Sequence, residues 1–132
     1  MLDIIVALLG VDQEVSADEK RVELSFNEEL AISIEIVLDQ FIRLEFDIGD
    51  QVEDKEVNEY LFMNLAQVCA SGYFHCPSWL VQEKQAGSFF AISKLKIIDI
   101  PEPLQIEYID NFLALCNELK QKYHEVSRKI IH

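Results

Sequence analysis

Residues 30–48 read Leu-Ala-Ile-Ser-Ile-Glu-Ile-Val-Leu-Asp-Gln-Phe-Ile-Arg-Leu-Glu-Phe-Asp-Ile, and this stretch decides the fold class. Apolar residues occupy every second position from Leu30 to Ile36 and again from Ile42 to Ile48. Successive side chains of a strand point to opposite faces, so this period of two predicts two strands that are each buried on one face. The intervening segment 38–40 is expected to reverse the chain.

The same alternation extends on both sides of this stretch. Residues 22–26 predict an earlier strand, which a turn at 27–29 connects to the strand that starts at Leu30. Three consecutive strands with short turns predict an antiparallel meander. The period of two returns at 79–82 and 89–98, and a hairpin turn is expected at 85–88.

Helical spacing of apolar residues separates these strands. A short helix is predicted over residues 2–9, and a second helix from an N-cap at Asp54 to a stop at Gly72. A final helix is predicted from about Leu104 to the end of the chain, after Pro101 and Pro103. The expected fold class is therefore α+β, in the order helix, three antiparallel strands, helix, two strands, helix. We expect a single domain over residues 1–132, and the order excludes a doubly wound nucleotide-binding fold.

Charge narrows the classes of partner. The 132 residues include 24 Asp and Glu against 11 Lys and Arg, for a net charge of −13. Such a surface repels phosphate backbones and anionic lipids, so nucleic-acid binding is not expected. The apolar stretch at residues 1–10 is too short to span a bilayer, so no membrane insertion is expected. The three cysteines form an odd, unpaired set, which is typical of reduced thiols in a cytosol.

The sequence contains no motif for catalysis or metal binding. Its four glycines are dispersed, and it has no Cys-x-x-Cys pair. A thiol–imidazole pair of His75 with Cys69 or Cys116 is the weaker alternative, because it lacks a third orienting group. We therefore expect no enzymatic activity, no catalytic residue, no metal and no cofactor.

Two surface features each leave two interpretations open. Eight acidic residues lie between Asp39 and Glu59, and they form either a solubilising face or a patch that steers a basic partner. The second helix and the last strand carry more apolar residues than one core can cover. This surplus indicates an oligomer interface, with a tightly wrapped monomer as the alternative.

Six segments of the chain carry a resemblance to a known family: Leu2–Gly10, Leu30–Val37, Phe41–Ile48, Asn58–Ala66, Ser88–Leu95 and Asp110–Cys116. Together they resemble the class I (CesT-like) type III secretion chaperones. The resemblance implies a small acidic protein of the bacterial cytoplasm that forms a homodimer or a heterodimer with a related chaperone. One departure is the segment His75-Cys-Pro-Ser-Trp79, which replaces the usual Leu-Gly-rich segment before the final strand.

The resemblance also implies a function and a set of sites. The expected function is to bind the N-terminal chaperone-binding segment of a secreted effector or gatekeeper protein in extended form, and to keep it export-competent. Matching positions suggest client contacts at Leu2, Ile5, Leu9, Leu24, Phe26, Ile34, Leu44 and Phe46, although some of these must be core. The implied dimer surface is Tyr60, Phe62, Met63, Phe89, Phe90, Ile92 and Leu95.

Two further expectations follow. If Ile5 belongs to the client site that the resemblance implies, Ile5→Asp is expected to weaken client binding more than it weakens folding. The alternative function is that of a regulatory binding protein, which sequesters a transcription factor, a polymerase subunit or a sibling chaperone through the acidic stretch.

Overall fold

The computed structural model describes residues 2–11, 13–16, 18–83 and 87–131. Its elements are α1 (Leu2–Leu8), β1 (Arg21–Ser25), β2 (Ala31–Val37), β3 (Phe41–Asp50), α2 (Lys55–Ala70), β4 (Trp79–Gln82), β5 (Ser88–Lys96) and α3 (Glu102–Ile131). The predicted order of helices and strands is confirmed, and the chain forms a single α+β domain.

The five strands form one antiparallel sheet in the order β1-β2-β3-β5-β4. The predicted meander is β1 to β3, and β5 returns beside β3 with Phe46 opposite Ala91. The register between these two central strands shifts between Asp47 and Gly49, where the ladder has a bulge. This order leaves β1 and β4 as the edge strands.

The two faces of the sheet differ in composition because the strands alternate. One face, the inner face, carries the buried side chains of β1, β2 and β3, among them Leu24, Ile34 and Leu44. Helix α3 packs against β3, α2 packs against α3 and β4, and the buried residues of α1 join the same core. The opposite face, the outer face, presents the charged side chains of the meander.

Several boundaries differ by one or two residues from the sequence-based expectations. Helix α3 begins at Glu102 rather than near Leu104. Pro103 is tolerated in the first turn because the N–H groups of that turn have no partner within the helix, so the N–H that proline lacks is not missed. Strand β5 ends at Lys96, and the chain turns after the N–H of Ile97 donates to the carbonyl of Gln40. The expected turn at 85–88 falls partly on residues 84–86, which lie outside the described residues.

The start of α2 is held by local hydrogen bonds. The carboxylate of Asp54 accepts a hydrogen bond from the N–H of Val57 at 3.1 Å, which confirms the predicted N-cap. The buried Asn58 donates to the side-chain oxygen of Gln51 at 3.1 Å, and the same oxygen accepts from Gln82 at 2.7 Å. These amides tie the end of β3 and the first turn of α2 to the edge strand β4.

The C-terminal half of α3 is fastened to the end of β3. The ammonium of Lys120 donates to the carbonyl of Ile48, and the hydroxyl of Tyr123 donates to the carbonyl of Asp50, both at 2.8 Å. Gly49 lies between these two carbonyls, and a Cβ at this position would meet the Tyr123 ring at 2.5 Å. Since only glycine lacks a Cβ, Gly49 permits the tyrosine ring to lie against the strand.

Candidate functional site

Most of the predicted client contacts lie in the core. Six of the eight are buried on the inner side of the protein: Leu2, Ile5, Leu24, Ile34, Leu44 and Phe46. Leu9 and Phe26 are half-buried and pack against the edge of the same core. The sequence left open which of the eight are core and which are groove. In this form of the protein, the side chains of Leu9 and Phe26 alone among the eight are accessible to a bound segment.

The predicted dimer residues do not form one surface. Tyr60 and Met63 are 55% and 60% exposed on α2. Phe62 is half-buried with its ring 6.2 Å from that of the buried Phe89. Leu95 packs against the core. Phe90 and Ile92 instead lie on the outer face of the sheet, at the positions of β5 that oppose Asp47 and Glu45.

An apolar surface on the outer face joins β5 to β4. Trp79 pairs with Ile92 and Val81 pairs with Phe90, so the four side chains share one face of the two strands. None of the four belongs to the packed core, and Trp79 is 46% exposed. We call these four residues the outer patch. The surfaces predicted from the sequence do not include Trp79 and Val81, although the alternation of these residues with Leu80 and Gln82 in β4 indicates that they share one face.

A concavity of about 280 Å³ adjoins the outer patch. Phe90 forms one wall, and the polar lining consists of Arg21, Glu23, Ser33, Glu45 and Asp47. Glu45 is already paired with Arg43 at 2.7 Å, and Glu23 accepts a hydrogen bond from the Ser33 hydroxyl. Among the residues that the structure describes, no cation pairs with Glu23 or Asp47 within 4.0 Å.

The three cysteines are free thiols, of which Cys69 and Cys76 are half-buried and Cys116 is buried. Burial raises the pKa of the Cys69 thiol to about 11, and it raises the pKa values of Cys76 and Cys116 as well. Cys76 lies 3.4 Å from the Ser93 hydroxyl, which also contacts the Tyr108 hydroxyl and donates to the carbonyl of Pro77. The thiolate is the nucleophile, so a raised pKa opposes the thiol–imidazole alternative.

The raised thiol pKa values predict loss of stability in alkali. A thiol that binds its proton more tightly when folded adds stability that is complete below its unfolded pKa, which is 9.0, and is lost as pH rises through the folded value. The free energy of unfolding should therefore fall from pH 9 to about 11, as followed by urea denaturation. Cys69→Ala should reduce the slope of the free energy of unfolding against pH. A free energy of unfolding that does not change over this pH range would contradict the prediction.

Among residues 2–11, 13–16, 18–83 and 87–131, no three His, Cys, Asp or Glu side chains are placed to hold a metal ion. Within that same part of the chain, no helix is both long enough and apolar enough to span a bilayer.

Comparison with known proteins identifies the fold. No protein-family model and no curated protein matches the sequence. A chain of the heterodimeric complex ExoU–SpcU, from the type III secretion system of Pseudomonas aeruginosa, superposes with a TM-score of 0.66 at 16% identity, over 92% of this chain and 97% of that one. A chain of the HopA1–SchA chaperone–effector complex gives a TM-score of 0.62 at 12% identity, over 91% and 90%.

The fold also occurs in YbjN from E. coli, a candidate transcription regulator. Its TM-score is 0.60 at 12% identity, over 94% of this chain and 90% of that one. These likenesses extend over nearly the whole chain, so the chain has the fold of the class I type III secretion chaperones, as the resemblance implied. At such identities the likeness concerns the fold, and the partner has to be argued from the surface.

Proposed function

We propose that this protein is a secretion chaperone without enzymatic activity, which acts in the bacterial cytoplasm. It binds the N-terminal chaperone-binding segment of a secreted effector or gatekeeper protein in extended form and keeps that protein export-competent. The observation that carries the proposal is the likeness, over nine-tenths of the chain, to proteins from type III secretion complexes, one of them a chaperone–effector complex.

The surface supports binding of an extended segment in two ways. The sheet ends in two edge strands, β1 and β4, whose outer backbone groups can pair with another strand. Apolar side chains also remain accessible beside the sheet, at Leu9, Phe26 and the outer patch. An extended segment buries alternate side chains in such places while its backbone remains paired, so no folded client is required.

We also propose that the protein works as a dimer, either with a second copy or with a related chaperone. Tyr60 and Met63 lie one turn apart on α2, so their exposed side chains form a continuous apolar stripe. Large aromatic and methionine side chains are enriched at interfaces. Light scattering should give twice the mass of the 15.3 kDa chain, and Met63→Asp should halve that mass.

The test of the proposed function is affinity purification of the protein from the bacterium that produces it. We expect one secreted protein to co-purify, and to lose binding when its N-terminal segment is deleted. Limited proteolysis of the complex should leave that segment protected while the rest of the client is cleaved as in the free client. Capture of no secreted protein under secretion-inducing conditions would contradict the proposal.

A regulatory role is the second candidate. Seven of the eight acidic residues between Asp39 and Glu59 are exposed, and YbjN shows that the fold is not confined to secretion complexes. An acidic surface accelerates association with a basic partner in a salt-dependent manner. Co-purification of a transcription factor, a polymerase subunit or a sibling chaperone in place of a secreted protein would favour this candidate.

A further inference from the structure

We propose that the outer patch and its adjoining concavity bind an extended segment in which apolar residues stand beside lysine or arginine. The inference rests on the proposed function, because it names where the client segment lies and what its chemistry is. It moves the client site from the inner face, where most of the predicted contacts are buried, to the face of the sheet opposite the core.

The outer patch has the properties of a docking surface. Within the described part of the chain, the helices pack on the inner side, and the four residues of the patch are not part of the packed core. Ile92 is nevertheless buried, at the position of β5 that pairs with Trp79 on one side and with Glu45 on the other. Trp79 remains 46% exposed at the edge strand, where an incoming apolar side chain can cover it.

The charge of the concavity determines which residues of the bound segment can stand beside its apolar side chains. Arg43 pairs with Glu45 at 2.7 Å, and Arg21, which also lines the concavity, pairs with Glu35 at 3.3 Å. No described cation therefore lies within 4.0 Å of the carboxylates of Glu23 and Asp47. A lysine or arginine in this concavity would meet these carboxylates and the Phe90 ring. The same face already holds one cation on a ring, because the Lys94 ammonium lies 4.7 Å above Phe41.

A second copy of the chain is a poor occupant of this surface. In a two-fold contact, the same patch meets itself, so two acidic concavities would be brought together. The chain as a whole carries a net charge of −13, which adds to this repulsion. A basic segment removes the repulsion and gains attraction, so charge complementarity favours it over self-association through this face.

The chain provides its own probe, since Trp79 is its single tryptophan. We would titrate the full chain with a short synthetic peptide in which leucine or valine alternates with lysine or arginine, and follow the emission of Trp79. The matched probe carries glutamate in place of each basic residue. We expect the basic peptide to shift the emission to shorter wavelength and to bind at least about tenfold more tightly than the acidic one.

Variants assign the binding to this surface. Phe90→Ser should lower the affinity for the basic peptide by about tenfold or more, because it removes a central apolar contact. Asp47→Asn should also lower the affinity for the basic peptide, and it should make that affinity less dependent on salt concentration. Tyr73→Ser is the matched control, because Tyr73 is an aromatic residue that is 77% exposed and lies outside the outer patch and the stripe on α2, and it should leave peptide affinity unchanged. Because Phe90 does not pack in the core, the thermal midpoint of Phe90→Ser should stay close to that of the parent.

Two results would overturn the inference. One is equal affinity for the basic and acidic peptides. The other is a Phe90→Ser variant that loses dimerisation while peptide affinity is unchanged, which would assign the patch to a second copy. Failure of the proposed function is distinguishable, since the peptide could bind this face while no secreted protein co-purifies. Conversely, a secreted client that binds Phe90→Ser as tightly as the parent would refute this site alone.

Discussion

Ile5→Asp is expected to unfold or severely destabilise the protein, lowering the free energy of unfolding by about 3–5 kcal/mol. Ile5 is 2% exposed and belongs to the core that α1 forms with the inner face of the sheet. A carboxylate introduced there would be removed from water without a partner. The measurement is urea denaturation monitored by circular dichroism.

This result would correct the expectation, based on the sequence, that Ile5→Asp affects client binding more than folding. Leu8→Asp is the matched control, because Leu8 lies on the same helix and is 49% exposed. Its substitution should change the free energy of unfolding by about 0.5 kcal/mol or less. Equal stability of the two variants would show that α1 does not pack as described.

Gly49→Ala is expected to lower the free energy of unfolding by about 1–3 kcal/mol. The new Cβ would lie 2.5 Å from the Tyr123 ring, which is held by its hydrogen bond to the carbonyl of Asp50. Either the ring or the bulge of β3 must move, and movement of the ring breaks that hydrogen bond.

A double-mutant cycle separates the contact from the backbone contribution. In the background of Tyr123→Ala, the effect of Gly49→Ala should decrease, and the difference measures the steric contact. Gly72→Ala is the control for conformation alone, because Gly72 has φ +71 and a Cβ added to it would meet no atom within 4 Å. It should cost about 1 kcal/mol through backbone strain. An unchanged effect of Gly49→Ala without Tyr123 would exclude the ring as its cause.

The local pattern was sufficient for the secondary structure. Alternation at Ile32, Ile34 and Ile36 and at the matching positions of β3 requires two strands with one buried face each, because the period of side chains in a strand is two. The N-cap at Asp54 was likewise readable, since its carboxylate satisfies a backbone N–H within the same turn. Such features depend on residues close together in the chain.

The candidate site is harder to predict from the sequence than the secondary structure. Both faces of β5 are apolar, with Phe89 and Ala91 on one side and Phe90 and Ile92 on the other. Alternation shows that these pairs are separate, but it does not say which pair the helices cover. The interface that the resemblance implies contains both Phe89 and Phe90, whereas one is core and the other lies on the outer face.

The sequence by itself determined the order of the elements, the apolar face of each strand of the meander and the acidic character of the surface. The tertiary structure decided that β5 lies between β3 and β4, that α1 is part of the core, and that Trp79 stands beside Ile92 on the outer face. These outcomes depend on which element packs against which. The burial of a side chain depends on neighbours that are distant in the chain, and the local periodicity of the sequence carries no information about which neighbours these are.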